Sequence, residues 1–347
     1  MVLHGPRKMP IPTHAPVRLK DIARDLDVSV MTVSKVVRGC ADVGAETRKR
    51  VLARIKELNY QPNWIARSLA GRRTYIIGLV VPDLMHSFFA EVAKGISATI
   101  RPYGYDVVIC NSEENAGVES SEIDRLLARQ VDGLILASAQ NPSSTEIFER
   151  IEARGVPYLM VDRHFAGRNA SYVGADDEVI GRLATEHLIA RGCRRIAHIA
   201  GPQITPGVGR LKGYRQALAA AGIEAPDSFV VSATDDASGY EAALRLLRLD
   251  PRPDGIFGYN DPVAAGAMKA ILEHGIGIPA GIKVIGAGNV HYSDLLRVPL
   301  STVDQASNAI GRQAAEILIK AITSKRKKAP QTVLVEPTLI ARESTGD

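Results

Sequence analysis

From Tyr75 onward the chain repeats a single unit: a short apolar run, then a stretch in which apolar residues recur at three-to-four spacing. The runs at 75–81 (YIIGLVV), 105–110 (YDVVIC), 131–137 (VDGLILA) and 156–161 (VPYLMV) lack polar alternation. Strands with that pattern are buried on both faces, which calls for a parallel sheet covered by helices on each side. Phe89, Val92, Ile96 and Ile100, one face of an intervening stretch, are the kind of residues that make such crossover helices. A second series follows at 171–175 (SYVGA), 195–201, 228–233, 255–259 and 283–287. The expected body, 75–347, is therefore α/β with two doubly wound parallel-sheet lobes. The N-lobe takes about 75–173 and 304–323, and the C-lobe about 174–303 and 324–347.

In such lobes ligands sit outside the carboxyl ends of the strands. Those ends are polar: Asp83, Asp162 with Arg163, Asp176 with Asp177, Asn260 with Asp261, and Asn289. Helix capping alone explains an Asp or Asn at any one of them. Their recurrence points to a binding cleft.

The N-terminal part has a different pattern and a different charge. Residues 1–73 hold 15 Lys/Arg and 6 Asp/Glu, giving +9, so with a total of +5 the remainder carries 5 − 9 = −4. A basic head on a slightly acidic body is the footprint of a phosphate-binding module. Leu19, Ile22, Ala23 and Leu26 share one face of a first helix, and Asp27-Val28 makes a tight turn. Ser29 is a good N-cap for a second helix, Val30–Val37. This helix-turn-helix leaves Val30, Met31, Ser34 and Lys35 facing outward. Exposed apolar residues in a first turn suit thymine methyls and sugar edges. A third helix at about 46–58 props the first two. Asn63 caps a short stretch too small to be a stable helix alone, in which Leu69 lies among Arg67, Ser68 and Arg72. Leu69 either packs on its own domain or acts as a minor-groove wedge. Residues 1–16, with four prolines, read as a disordered arm.

Cys40, Cys110 and Cys193 are widely spaced and odd in number, which fits neither a disulfide framework nor a metal knuckle. No histidines pair at helical ligand spacing, so no metal and no cofactor are expected. The N-terminus lacks the apolar core of a signal peptide, and a soluble, cytoplasmic protein is expected. GAGNVH at 286–291 imitates the start of a dinucleotide fingerprint but has His291 at the third glycine. No nucleophile and base fall at recognisable spacing, so the chain does not read as an enzyme.

The chain resembles the lactose/galactose repressor (LacI/GalR) family from Val17 onward. LKDIARDLDVSVMTVSKVVRG, TRKRVLARIKELNYQPNWIARSLAG, IIGLVVPD, VDGLILAS, GRLKGYRQAL, NDPVAAGAM, PLSTVDQ and LIARES carry the resemblance. It implies a homodimeric regulator on a pseudo-palindromic, double-stranded operator, controlled by a small-molecule effector, with domains at 17–62 (DNA-binding), 63–74 (hinge helix) and 75–347. By position, Val30, Met31 and Lys35 would read bases, and Thr32, Ser34, Asn63 and Ala66 would make phosphate or groove contacts. Leu69 would be the wedge. In the body, Phe88 and Phe89 would wall the ligand, and Asp162, Arg163, Arg210, Asn260 and Asn289 would supply polar contacts. Many relatives that bind neutral sugars carry an aspartate where this chain has Gly288. Losing that anion beside Arg163 and Arg210 leaves a more positive cleft, from which a sugar acid or other anionic sugar is expected. Repression released by the effector and repression that requires a corepressor both fit the resemblance. A solute-binding protein would need an export signal and no basic head.

Overall fold

A computed structural model describes residues 17–37, 42–60, 73–141, 144–165, 170–224, 226–324 and 329–346. The chain divides into two units, Met1–Thr74 and Tyr75–Asp347. Asn63, Ala66, Leu69, the arm at 1–16 and a basic run at 325–328 (KRKK) lie outside the described residues.

The first unit contains α1 (Leu19–Leu26), α2 (Val30–Val37) and α3 (Ala45–Glu57) around Ile22, Ala23, Val33, Val36 and Val51. Local chemistry sets the ends. The Asp21 carboxylate accepts the Arg18 N–H at 2.9 Å at the start of α1, and Asp27, at φ 51°, closes it in the left-handed conformation that aspartate tolerates. The Ser29 hydroxyl then accepts the Thr32 N–H at 3.0 Å, which caps α2. Arg54 of α3 donates to Asp25 at 3.1 and 2.6 Å, and Arg50 donates to the Leu26 carbonyl at 3.1 Å, so α3 braces the α1 end.

The second unit runs β1 (Ile76–Val81), α4 (Ser87–Ile100), β2 (Asp106–Asn111), α5 (Ala116–Ala128), β3 (Gly133–Leu136), α6 (Glu146–Ala153), β4 (Tyr158–Val161) and β5 (Ser171–Ala175). It continues with α7 (Asp177–Ala190), β6 (Ile196–Ala200), α8 (Thr205–Ala220), β7 (Val230–Ser232), α9 (Asp236–Leu247), β8 (Gly255–Gly258), α10 (Asp261–Glu273), β9 (Lys283–Ala287) and β10 (Ser301–Asp304). Last come α11 (Ser307–Thr323), β11 (Thr332–Val335) and β12 (Thr338–Ile340). The two six-stranded sheets have orders β11-β5-β4-β3-β1-β2 and β12-β10-β9-β8-β6-β7. Every pairing is parallel except β10 with β12. The strand order reverses beside β1 and beside β6, where crevices open at the carboxyl ends.

Two strands lie in the other sheet from the one their place in the sequence suggests. Ser171–Ala175 does not open the second series. It is an inner strand of the first sheet, between β4 and β11. The tail is divided: β11 joins the first sheet and β12 the second. Apolar periodicity identifies a strand but not its sheet, and the chain changes lobe only after Ala175, after Asp304 and after Val335.

Three helix pairs cross at glycines set against each other. A Cβ on Gly95 of α4 would strike the Asn308 carbonyl, and one on Gly311 of α11 the Val92 carbonyl. The same reciprocity joins Gly181 of α7 with Gly213 of α8, and Gly239 of α9 with Gly266 of α10. Backbone meets backbone at each crossing.

Candidate functional site

In the head, Val30 and Met31 stand 47% and 62% exposed in the first turn of α2. Beside them, the Thr32 hydroxyl hydrogen-bonds Ser29 at 2.8 Å, and Ser34 is half-buried. The Lys35 ammonium is paired with Asp42 at 2.6 Å. That pair is solvent-exposed and so contributes at most about 1 kcal/mol, which a DNA phosphate or guanine can replace. α2 thus presents an apolar patch and one loosely held cation on a surface held up by α1 and α3.

In the body, the carboxyl ends converge on two buried guanidiniums. Arg210, on the first half of α8, is 2% exposed. Its Nε donates to Asp177 at 3.0 Å, Nη1 to the Tyr259 carbonyl at 2.7 Å and Nη2 to Gln305 at 2.9 Å. The guanidinium carbon also lies 5.0 Å from the Tyr259 ring centroid. Five N–H groups are available on a guanidinium, so the second N–H of each Nη remains for a ligand. The α7–α8 glycine crossing makes this possible: a Cβ on Gly181 would strike the Arg210 carbonyl, and one on Gly209 would lie 2.6 Å from the Asp177 Cβ. Burial pushes the Asp177 carboxyl up to about 6, against the opposing pull of Arg210.

Asp162 and Arg163 follow β4. Asp162 has φ 63°, and the Arg163 N–H reaches back to the Val161 carbonyl at 2.6 Å. This left-handed conformation is one that aspartate tolerates, as at Asp27. Arg163 donates Nη1 and Nη2 to the two oxygens of Glu114 at 2.8 and 2.6 Å. Its Nε is buried with no hydrogen-bond partner, 3.7 Å from the Asp162 carboxylate. Among the described residues that carboxylate in turn receives no hydrogen bond, and burial raises its pKa. A buried donor without a hydrogen bond and a carboxylate at ion-pair distance from it therefore stand side by side.

Asn260 caps α10 by accepting the Val263 N–H at 3.0 Å, while its amide nitrogen lies 3.1 Å from His86 Nε2 of the other lobe. Burial lowers the His86 pKa to about 4, so the ring is neutral at pH 7. Phe88 and Phe89 are buried, edge to face at 5.0 Å, with the His86 ring against both. Asn289 is engaged elsewhere: its amide donates to Asp304 at 3.1 Å and accepts from Arg342 at 2.7 Å, which braces the β9–β10 edge. Gly288 has φ 135°, a backbone that side-chain-bearing residues rarely adopt, so the departure there is conformational as well as chemical. Asp261, with the Thr302 and Ser293 hydroxyls at 2.6 and 2.7 Å and the Val290 N–H at 2.9 Å, fixes the same loop.

The cleft is not the electropositive one expected from the loss of a carboxylate at Gly288. Glu114, Asp162 and Asp177 set three carboxylates against the two guanidiniums. Sequence reasoning passed over Glu114, Gln305, Tyr259 and His86, and weighed Asp177 only as a strand-end acid. Glu114 and Gln305 both lie just past a strand end, the position that singled out Asp162, but each is one residue type among many in a polar loop.

A three-helix DNA-reading head joined to a body of two parallel-sheet lobes, with a polar cleft at the strand ends, defines a ligand-responsive DNA-binding regulator. Residues 74–343 match the family model for periplasmic binding proteins and the sugar-binding domain of the LacI family, and residues 18–63 match that for bacterial regulatory proteins of the lacI family. The chain belongs to the LacI family of DNA-binding transcriptional repressors. It is 37% identical over 331 residues to the ribose operon repressor of Halalkalibacterium halodurans, covering 94% of this chain and 96% of that one. Similar solved structures include the lac repressor dimer bound to operator and the anti-inducer ONPF (TM-score 0.82, 29% identity, 95% and 99% covered). Another is the complex of the transcriptional regulator CelR with cellobiose (TM-score 0.72, 32% identity, 94% and 99% covered). Among the described residues no helix is long and apolar enough to cross a membrane, and no acidic, histidine or cysteine group could hold a metal ion.

Proposed function

We propose that this repressor acts in the cytoplasm as a homodimer on a pseudo-palindromic operator and is released by a neutral, polyhydroxylated sugar of the pentose class. The observation that carries the sugar class is the pair at β4. A hydroxyl is donor and acceptor at once, so one sugar OH can accept from the unpartnered Arg163 Nε and donate to the Asp162 carboxylate beside it. A ligand carboxylate at that point would satisfy only the arginine and would meet Asp162. Arg210 supplies its two remaining N–H groups to further hydroxyls, with Phe88 and Phe89 as apolar backing. Asn260 and His86 join the lobes, so a ligand that draws them together favours one body conformation. The similarity to a ribose operon repressor and to the CelR–cellobiose complex supports a neutral sugar. In the head, Val30, Met31 and Lys35 read bases, and Leu69 is the wedge.

Isothermal titration of the full chain with D-ribose and D-ribonate separates this reading from an anionic effector. Saturable binding of ribose, with ribonate at least tenfold weaker, is expected. Tight ribonate binding without ribose binding would replace the neutral sugar by a sugar acid.

A further inference from the structure

Glu114 belongs to a loop with no regular structure between β2 and α5, yet its position is tightly set. Glu113 and Glu114 are consecutive left-handed residues, at φ 51° and 53°. The loop is held by the Glu114 N–H on the Pro82 carbonyl at 3.1 Å, the Asn115 N–H on the Ser112 carbonyl at 2.9 Å, and Asn115 capping α5. Two adjacent residues in a costly conformation are retained only where the surroundings over-determine them. The result is a fork-to-fork pair in which the guanidinium is 6% exposed and the carboxylate side chain 56% exposed. The arginine is buried in the cleft wall, and the glutamate covers its outer edge from the solvent side.

We infer that Glu114 is a specificity-determining residue that excludes anionic ligands by holding the carboxylate position on Arg163. A bidentate carboxylate is the best partner a guanidinium can have, and here the chain supplies it internally. An incoming sugar acid must displace Glu114 or lie beside it and Asp162, whereas a neutral sugar needs only the buried Nε that Glu114 leaves unpaired. This assigns selection to repulsion and occupancy as much as to attraction. The inference rests on the reading of the cleft as a sugar site.

The test compares wild type with Glu114→Gln and Glu114→Asp by titration with D-ribose, D-ribonate and acetate, with thermal melting to confirm folding. Glu114→Gln is expected to raise the ratio of ribonate to ribose affinity at least tenfold, and to gain acetate binding. Glu114→Asp, which keeps the charge, retains the exclusion. Unchanged ribonate and acetate affinity in folded Glu114→Gln would overturn the inference. An equal loss of ribose and ribonate affinity would also overturn it, because Glu114 would then merely support the fold of the site. Should wild type bind ribonate in preference to ribose, the neutral-sugar reading fails. Glu114 is then still tested by whether its removal tightens ribonate further.

Discussion

Asp177 and Arg210 show how single residues of this cleft were and were not legible. Arg210 stands in a recognisable motif, GRLKGY, and the structure makes it a hub with one bond from each nitrogen. Its partners come from three distant elements and carry no local signature. Asp177, 33 positions away, looks like any acid in the first turn of a helix. Gly288 was legible as a missing carboxylate but misleading as a charge argument, because Glu114, far away in sequence, already balances Arg163. The raised pKa of Asp177 yields a signed expectation. A carboxyl whose folded value, about 6, exceeds its ordinary 3.8 contributes stability below pH 3.8 that is lost as pH rises through 6. Ligand affinity runs the other way. Protonation removes the charged acceptor that orients Arg210, so ribose binding should weaken several-fold as pH falls from 7 to 5. Asp177→Asn should be weak and nearly flat with pH in the same titrations. A wild-type affinity constant across this range would show that the ion pair does not orient the arginine.

Among the elements, the strands were the most readable part of the body, because short apolar runs bounded by turn residues mark strands, although the edge strand β2 is half-exposed and not covered on both faces. Helix positions followed from apolar spacing, as Phe89, Val92, Ile96 and Ile100 of α4 show. The crossings were not readable. Gly95, Gly181 and Gly239 lower helix propensity and in sequence resemble weak points, yet each sits where another helix backbone approaches within side-chain distance. Gly181→Ala therefore carries two costs. A methyl group forced against the Arg210 carbonyl should destabilise the body by about 1–3 kcal/mol, the usual cost of overpacking. It should also pull Arg210 from Asp177 and weaken sugar binding. Denaturant unfolding and titration on the same preparation check both, and unchanged values for either would mean that α8 tolerates displacement. In the head, α2 was readable down to its outward face, but the pairing of Lys35 with Asp42 was not, since it joins α2 to the loop before α3.

At the scale of the whole molecule, the lobes are two copies of one strand order, and the chain passes between them three times. Sequence order assigned β5 and β11 to the wrong sheet because lobe membership depends on which strand edge is free, a property of the assembled sheets. These passages and the His86–Asn260 contact join the lobes, so in the proposed reading a ligand held by Asp162 and Arg163 on one side and Arg210 on the other would act on both. In that reading, sugar binding in this cleft loosens the grip on DNA. A gel-shift titration tests it most directly, using an operator selected by the purified protein from random-sequence duplexes. Increasing D-ribose should abolish the shifted band, and Arg210→Lys, which cannot reproduce three directed bonds, should keep the band at concentrations that release wild type. A band strengthened by ribose would make the sugar a corepressor, and a band indifferent to ribose at saturating occupancy would mean that the cleft does not control DNA binding.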